Sequence, residues 1–338
     1  MLASMMQAML IEQFGSPDVF RRAQIGRPQL APGHVLIDVA ASSVNPVDTK
    51  IRANGPGIAP VLPAVLHGDV AGRLIAVADD VQGFAPGDEV FACAGGVRGL
   101  GGSLAEVMLA DARLLAPKPK SLDMAAAAAL PLVTITAWEG LYERGALKPG
   151  ERVLVIGGTG GVGHIAVQLA RRAGAWVAST ASSPDKARIE RELGAHEVIL
   201  HREESIADGA MRLSGGEGFD LTFDAVGGDK VLPQAFAATR LGGRIVTIQA
   251  HAKVDLAPLH DRAQSLHAEF MLPPLLYDRG REHHGEILRK ASSLVDAGEL
   301  KPLLDEQRFG FTEVGAAHAR LESGQARGKV VLINDLTN

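Results

Sequence analysis

The chain of 338 residues and 35.4 kDa is long enough for two domains, each with its own core, and 46% hydrophobic with 22% charged residues is a globular, water-soluble balance. A net charge of −5 without a basic run argues against nucleic acid as the main partner. No apolar segment reaches the roughly 18 residues of a membrane span, and the single cysteine, Cys93, excludes an internal disulfide and points to a reducing cytoplasm.

The opening MLASMMQAMLIEQFG lacks a basic segment followed by a long apolar core, so it is not expected to be a secretory signal. Met5, Met6 and Met9 read as a short extension before the first strand. Short strands at 34–44, 70–78 and 88–94 follow, with Ala31-Pro32-Gly33 and Ala85-Pro86-Gly87-Asp88 as turn signals. This pattern predicts a compact β domain of barrel type. An alanine-rich helix over 124–129 starts the connection, Pro131 interrupts it, and a helix over 134–144 leads onward. From Arg152 strands and helices alternate, with strands at 153–156, 176–180, 197–200, 221–224 and 244–248 and helices such as 184–193 and 230–239. A strand at 269–272 would complete six in a doubly wound parallel sheet. Helix 283–297, strand 307–311, helix 313–323 and strand 329–333 then return to the first domain. The expected division is 1–124, 125–272 and 273–338.

The stretch RVLVIGGTGGVG, Arg152 to Gly163, carries the most chemistry. A buried strand runs into a glycine turn and a helix, and Gly158, Gly160 and Gly163 fit G-x-G-x-x-G. Such glycines make the tight turn, admit a pyrophosphate to the backbone, and let the helix pack on the strand. With Gly161 and Val162 they place free amides and the positive helix end at the phosphates. Val162, Ile165, Ala166, Leu169, Ala170 and Ala173 recur at helical spacing, with Gln168, Arg171 and Arg172 on the other face. An NAD-preferring site places an acid about 20 residues on, at the ribose 2′-OH. Here Thr180, Ala181, Ser182, Ser183 and Lys186 stand instead, which favours NADPH. Ser182 and Ser183 also suit a helix cap, and Lys186 a solvated helix face. Val226 and Gly227 end the fourth strand beside the expected ribose.

The motifs SSVNPVD (42–48), GDVAGRLIAV (68–77), PGDEVF (86–91), GGSLAEV (101–107), AALPLVTITAW (128–138), LKPGERVLVIGGTGGVG (147–163), LGAHEVILHRE (193–203) and GKVVLI (328–333) make the chain resemble a known family. It is the zinc-independent quinone oxidoreductase (zeta-crystallin-like) branch of the medium-chain dehydrogenase/reductase superfamily. The resemblance implies an α/β fold, a Rossmann domain joined to a GroES-like β-barrel-type catalytic domain with the active site in the cleft. It also implies NADPH as hydride donor, a small conjugated carbonyl such as a quinone as substrate, and a homodimer.

Where zinc-dependent relatives carry a cysteine, a histidine and a second cysteine, this chain has Asn45, Gly68 and Leu132. None of these binds zinc, and one cysteine cannot build a four-cysteine lobe. His67 resembles the missing histidine but stands one residue early, a slip that in a strand turns a side chain to the other face. Hydride transfer without a metal suits quinones, whose reduction restores aromaticity.

The resemblance sets Asn45 and Asp48 beside the nicotinamide and the acceptor. There Asn45 either donates to a developing oxyanion or fixes its own Asn-Pro turn, and Asp48 is either catalytic or, the favoured reading, structural, since such loops need local side-chain bonds. Thr136 lies beside the nicotinamide or bonds its own helix turn. The backbone of Ile248, Gln249 and Ala250, after the fifth strand, and of 270–272, Phe270 and Leu272 included, approaches the nicotinamide end. His201 matches a contact near the adenine or is an exposed loop histidine, and Lys329 either reaches the cofactor from the returning tail or, the favoured reading, is solvated. The tyrosine common in enone- and quinone-reducing relatives is absent; Lys50, Ile51 and Arg52 occupy that stretch. Only Tyr142 and Tyr277 exist, which leaves solvent as proton source and weakens C=C reduction of enals and enones. That reaction remains the alternative, with a non-catalytic NADPH-binding protein the rival of another class. His283 and His284 point about 100° apart on a helix and make a poor metal pair. Cys93 reads as a small core residue, and the mobile glycine run 95–102 as a loop without proven gating.

Overall fold

The computed structural model describes residues 5–336, so residues 1–4 of the expected N-terminal extension lie outside it. The chain forms two compact units: one comprises Met1–Leu132, Leu272–Gly298 and Pro302–Asn338, the other Val133–Met271 with Glu299–Lys301. Met5, Met6 and Met9 belong to the first strand itself, β1 (Met5–Ile11), and to no extension. Alternate residues of β1 face inward, so Met6 and Ala8 join a small core with Ala105 and Val107.

The first unit continues with β2 (Phe20–Gly26), β3 (His34–Ser43), α1 (Pro46–Asn54), β4 (Ala64–Val65), β5 (Asp69–Val77) and β6 (Glu89–Cys93). Strands β7 (Val107–Asp111) and β8 (Ala116–Pro117) and helix α2 (Met124–Ala128) complete this part. Helix α1 is locally dictated. Asn45 is the N-cap, Pro46 occupies the first turn, and the Asp48 carboxylate accepts the Asn45 amide at 2.8 Å. Gly55, at φ +55°, ends it by returning its amide to the Ile51 carbonyl.

Helix α3 begins at Pro131 and runs to Trp138, followed by a π turn over Glu139–Arg144. The alanine-rich helix ends at Ala128, so the chain breaks before Pro131 as expected, and the next helix starts at Pro131 rather than at 134, because at the first position of a helix proline lacks only an amide that has no partner there. The second unit is a six-stranded parallel sheet ordered β11-β10-β9-β12-β13-β14. Its elements are β9 (Arg152–Ile156), α4 (Gly163–Arg172), β10 (Trp176–Ala181), α5 (Pro184–Glu192), β11 (Glu197–Leu200), α6 (Ile206–Ser214), β12 (Phe219–Asp224), α7 (Leu232–Ala238), β13 (Thr239–Thr247), α8 (Ala257–Asp261) and β14 (Ser265–Ala268). Val153 to Ile156 are all buried, as expected of a parallel strand covered on both faces. The last strand lies at 265–268, not at 269–272 as expected. Gln168, assigned to the polar face of α4, is buried and donates to the carbonyls of His164 (2.8 Å) and Lys301 (3.0 Å).

The chain returns to the first unit through α9 (Pro273–Tyr277), α10 (Arg281–Asp296), β15 (Leu304–Gly310), α11 (Val314–Glu322) and β16 (Lys329–Ile333). These strands extend a mostly antiparallel sheet ordered β15-β16-β3-β5-β6-β8, with β7 paired to β3. The glycine run 95–102 folds back on itself: a side chain at Gly95 would overlap the Gly101 carbonyl, and one at Gly102 that of Leu66. Cys93 is buried in β6. No helix among the described residues is long and apolar enough to cross a membrane.

Candidate active site

Each unit presents a polar centre relevant to function. In the second unit it lies at the carboxyl ends of the parallel strands, where the strand order reverses between β9 and β12. The turn after β9 is built by four glycines with separate tasks. Gly157, at φ +86°, makes the tight turn, a residue the fingerprint reading passed over. Its amide donates to the Thr180 hydroxyl at 3.0 Å and its carbonyl accepts from Gly160 at 2.9 Å. Gly158 faces inward, where a Cβ would overlap Ser179 Oγ and stand 2.8 Å from Glu190 Cδ. Gly163 lies against the Gly157 carbonyl with no room for a side chain. Gly160 is exposed and the most open of the four, which leaves a ligand access to the backbone there.

The amides of Gly161 and Val162 donate to no backbone carbonyl, and they sit where α4 starts. Unsatisfied amides at a positive helix end suit a phosphate. At the end of β10, Ser183 caps α5 and its hydroxyl accepts the Lys186 amide at 3.4 Å. Ser182 and Lys186 are half-buried beside it, and no carboxylate follows the strand before Asp185. His201 is exposed; its amide extends the ladder to the Ala181 carbonyl at 3.1 Å.

On the other side of the reversal, Asp224 organises the loop that follows β12, and sequence reasoning missed it. Its carboxylate accepts the amides of Val226 (3.0 Å) and Gly227 (2.8 Å) and the Thr247 hydroxyl (3.1 Å). Burial pushes its pKa above the usual carboxylate range, against these bonds. Gly227 then packs on Gln249. Val226, Ala250 and Phe270 are exposed, Ile248 and Gln249 half-buried, and Thr136 is buried on α3. Leu272 is the misfit. It is buried in the first unit, and its carbonyl is taken by the amides of Leu275 and Leu276 at the start of α9.

The polar centre of the first unit is built around Asp69, at the start of β5. One carboxylate oxygen accepts the Leu132 amide at 2.8 Å. The other accepts Ser43 Oγ at 2.7 Å, Asn45 Nδ2 at 2.8 Å and Lys329 Nζ at 3.4 Å. Lys329 also donates to the Val44 carbonyl at 3.1 Å and to Asn45 Oδ1. The expectation of a solvated Lys329 is therefore corrected: it is 2% exposed, in a buried ion pair with Asp69. The Asn45 amide is held at both ends and keeps one N–H uncommitted. Asp48 is buried beneath it; desolvation pushes its pKa up to about 7, countered by the Asn45 amide and reinforced by Asp69.

His67 is not on a strand. It lies at φ +72° in the turn before β5, where its ring stacks on that of His318 and the two Nε2 atoms are 2.8 Å apart. Its Nδ1 meets Ser42 Oγ at 3.2 Å. Burial drives the pKa of both rings down, that of His318 to about 3, so the pair is neutral with one ring donating to the other. The three positions where zinc-dependent relatives carry their ligands do converge, since Asn45 and Leu132 both bond Asp69 and Gly68 precedes it. An amide, a hydrogen and an isobutyl group offer the ion no ligand set, so zinc does not fit there.

The family described as alcohol dehydrogenase GroES-like domain matches residues 31–120, and that described as zinc-binding dehydrogenase matches residues 193–332. Human quinone oxidoreductase is 30% identical over 97% of this chain and 98% of its own length. The chain belongs to the medium-chain dehydrogenase/reductase superfamily. It is an oxidoreductase of the quinone and alkenal reductase type within that superfamily, and such enzymes depend on a pyridine nucleotide. A chloroplastic NADPH-dependent alkenal/one oxidoreductase of Arabidopsis thaliana is 32% identical over 97% of this chain and 79% of its own. Among solved structures, an alcohol dehydrogenase superfamily protein from Novosphingobium aromaticivorans superposes with a TM-score of 0.92 at 40% identity, over 98% of this chain and all of that one.

Proposed function

We propose that the protein is an NADPH-dependent, zinc-independent reductase of quinones or related small conjugated carbonyls in the cytoplasm. The observation that carries the cofactor choice is the end of β10, where two hydroxyls and Lys186 stand in place of an acid. A 2′-phosphate is stabilised by donors and a cation and repelled by a carboxylate. Bound NADPH supplies the hydride.

In this reading the amides of Gly161 and Val162 and the start of α4 hold the pyrophosphate, while Ser182, Ser183 and Lys186 take the 2′-phosphate. His201 lies at the adenine end. The Asp224-braced loop at Val226, the stretch 248–250 and Phe270 line the path to the nicotinamide, with Thr136 beside it. Asn45 and Asp48 keep their loop rigid, with the free N–H of Asn45 available to an acceptor oxygen. Quinone, NADPH and one proton give hydroquinone and NADP⁺. The proton comes from solvent, since Tyr142 already donates to the Leu169 carbonyl and Tyr277 lies open to water.

The alkenal-reducing relative favours one second reading, hydride addition to the C=C bond of an enal or enone. Following NADPH oxidation with an ortho-quinone and with a short enone separates the two: hydroquinone formation supports the first, a saturated ketone the second. Lys186→Glu is expected to weaken NADPH at least tenfold more than NADH. Equal loss of both nucleotides would sink the phosphate assignment.

A further inference from the structure

We propose that Glu190 is a positioning residue for the dinucleotide, supporting the glycine-rich turn when neutral and opposing the pyrophosphate when ionised. This rests on the reading that the turn holds a pyrophosphate. Glu190 lies on the last turn of α5 and is completely buried. Its carboxyl packs on the inner side of Gly158, where an added Cβ would be 2.8 Å from Cδ and 3.0 Å from Oε2. With Ser179 Oγ closer still, the position has no room for a side chain. The other side of the same turn carries the unpaired amides of Gly161 and Val162.

The groups around the carboxyl compensate its charge only in part. Neither oxygen has a hydrogen bond of normal geometry, and no cation pairs with it among the described residues. Ser179 Oγ, close by on β10, spends its proton on the Val155 carbonyl at 3.0 Å. The turn 157–162 and β10 bring no ionisable side chain. From α5 itself Lys186 and Arg191 act on it weakly; on the β11 side, Glu197 and His201 are exposed. Burial is the largest influence and raises the pKa to about 8, with the Thr159 amide offsetting part of it.

A carboxyl neutral at pH 7 leaves the positive end of α4 to the phosphates. Once ionised, it sets a negative charge behind the turn, in a low-dielectric setting where repulsion is strong. By linkage the nucleotide raises the Glu190 pKa, so affinity is level below about pH 7.5 and falls above it. Dissociation constants of NADPH and NADH between pH 6.5 and 9.5 test this in wild type and in Glu190→Gln, which keeps the shape and cannot ionise. Wild type is expected to weaken about tenfold across the upper half of that range for both nucleotides, which share the pyrophosphate, and the variant to stay level. Equal pH profiles in the two proteins would overturn the proposal. Calorimetry of wild type at pH 8.5 in two buffers of different ionisation enthalpy needs no variant: proton uptake on binding is expected, and its absence overturns the proposal even if Glu190→Gln does not fold. Failure of the NADPH reading appears separately, as equal affinity for NADPH and NADH at every pH.

Discussion

The two polar centres of this chain are made in opposite ways. The turn after β9 comes from one contiguous segment, holds no charge of its own, and works through backbone amides and missing side chains. The Asp69 centre gathers residues 43, 45, 69, 132 and 329 and is held by a buried ion pair. A neutral turn is tuned by small steric changes. A buried pair is stable only while both partners remain, because either charge alone is left without solvent.

The sharpest way to break this comparison is to remove one partner. Lys329→Met leaves the Asp69 charge uncompensated, and urea denaturation is expected to show a loss of about 3–5 kcal/mol. Adding Asp69→Asn should recover much of it. A loss under about 1 kcal/mol for the single variant would mean that the pair is not what holds the centre.

A smaller effect comes from the neutral His67–His318 pair behind it. The folded-state pKa of His318, about 3, lies below the unfolded value, so the unfolded chain takes up a proton first as pH falls. The stability contributed is present above about pH 6.5 and lost on the way down to 3. Relative to His318→Gln, which keeps a partner for His67, wild type should lose up to about 1.4 kcal/mol per pH unit between pH 6 and 4. Parallel stability curves for the two proteins would show that the ring is not held neutral.

The turn should give the smallest change. Gly158→Ala places a methyl group against Ser179 and Glu190, at an expected cost of about 1–3 kcal/mol. Glu190→Ala in the same chain should relieve part of that cost, measured as a coupling in a double-mutant cycle. Additive losses would separate the two residues.

Legibility in the sequence follows the same division. Strand, glycine turn and helix are neighbours in the chain, so the fingerprint, the parallel series and the Ser183 cap could be read directly. Strand β11 and strand β16 fall at the expected residues. What was lost depended on distance or on weak pattern. Lys329 looks like any surface lysine until β16 pairs with β3 and carries it to Asp69, 260 positions away in the chain. Strand β14, an edge strand of sequence SLHA, has no apolar run, whereas the run 269–272 that drew the expectation only follows it. His67 was seen as out of register, but its partner His318 lies in the returning tail. Gly157 and Asp224 carried signals that a fixed six-residue fingerprint does not include.

The proposed zinc-independence, with an Asp69–Lys329–Asn45 network where zinc-dependent relatives hold their metal, is decided by measuring zinc content and NADPH-dependent ortho-quinone reduction on the same chelator-treated sample. The account predicts undiminished turnover with far less than one zinc per chain. Turnover that disappears with chelation and returns in proportion to added zinc would contradict it.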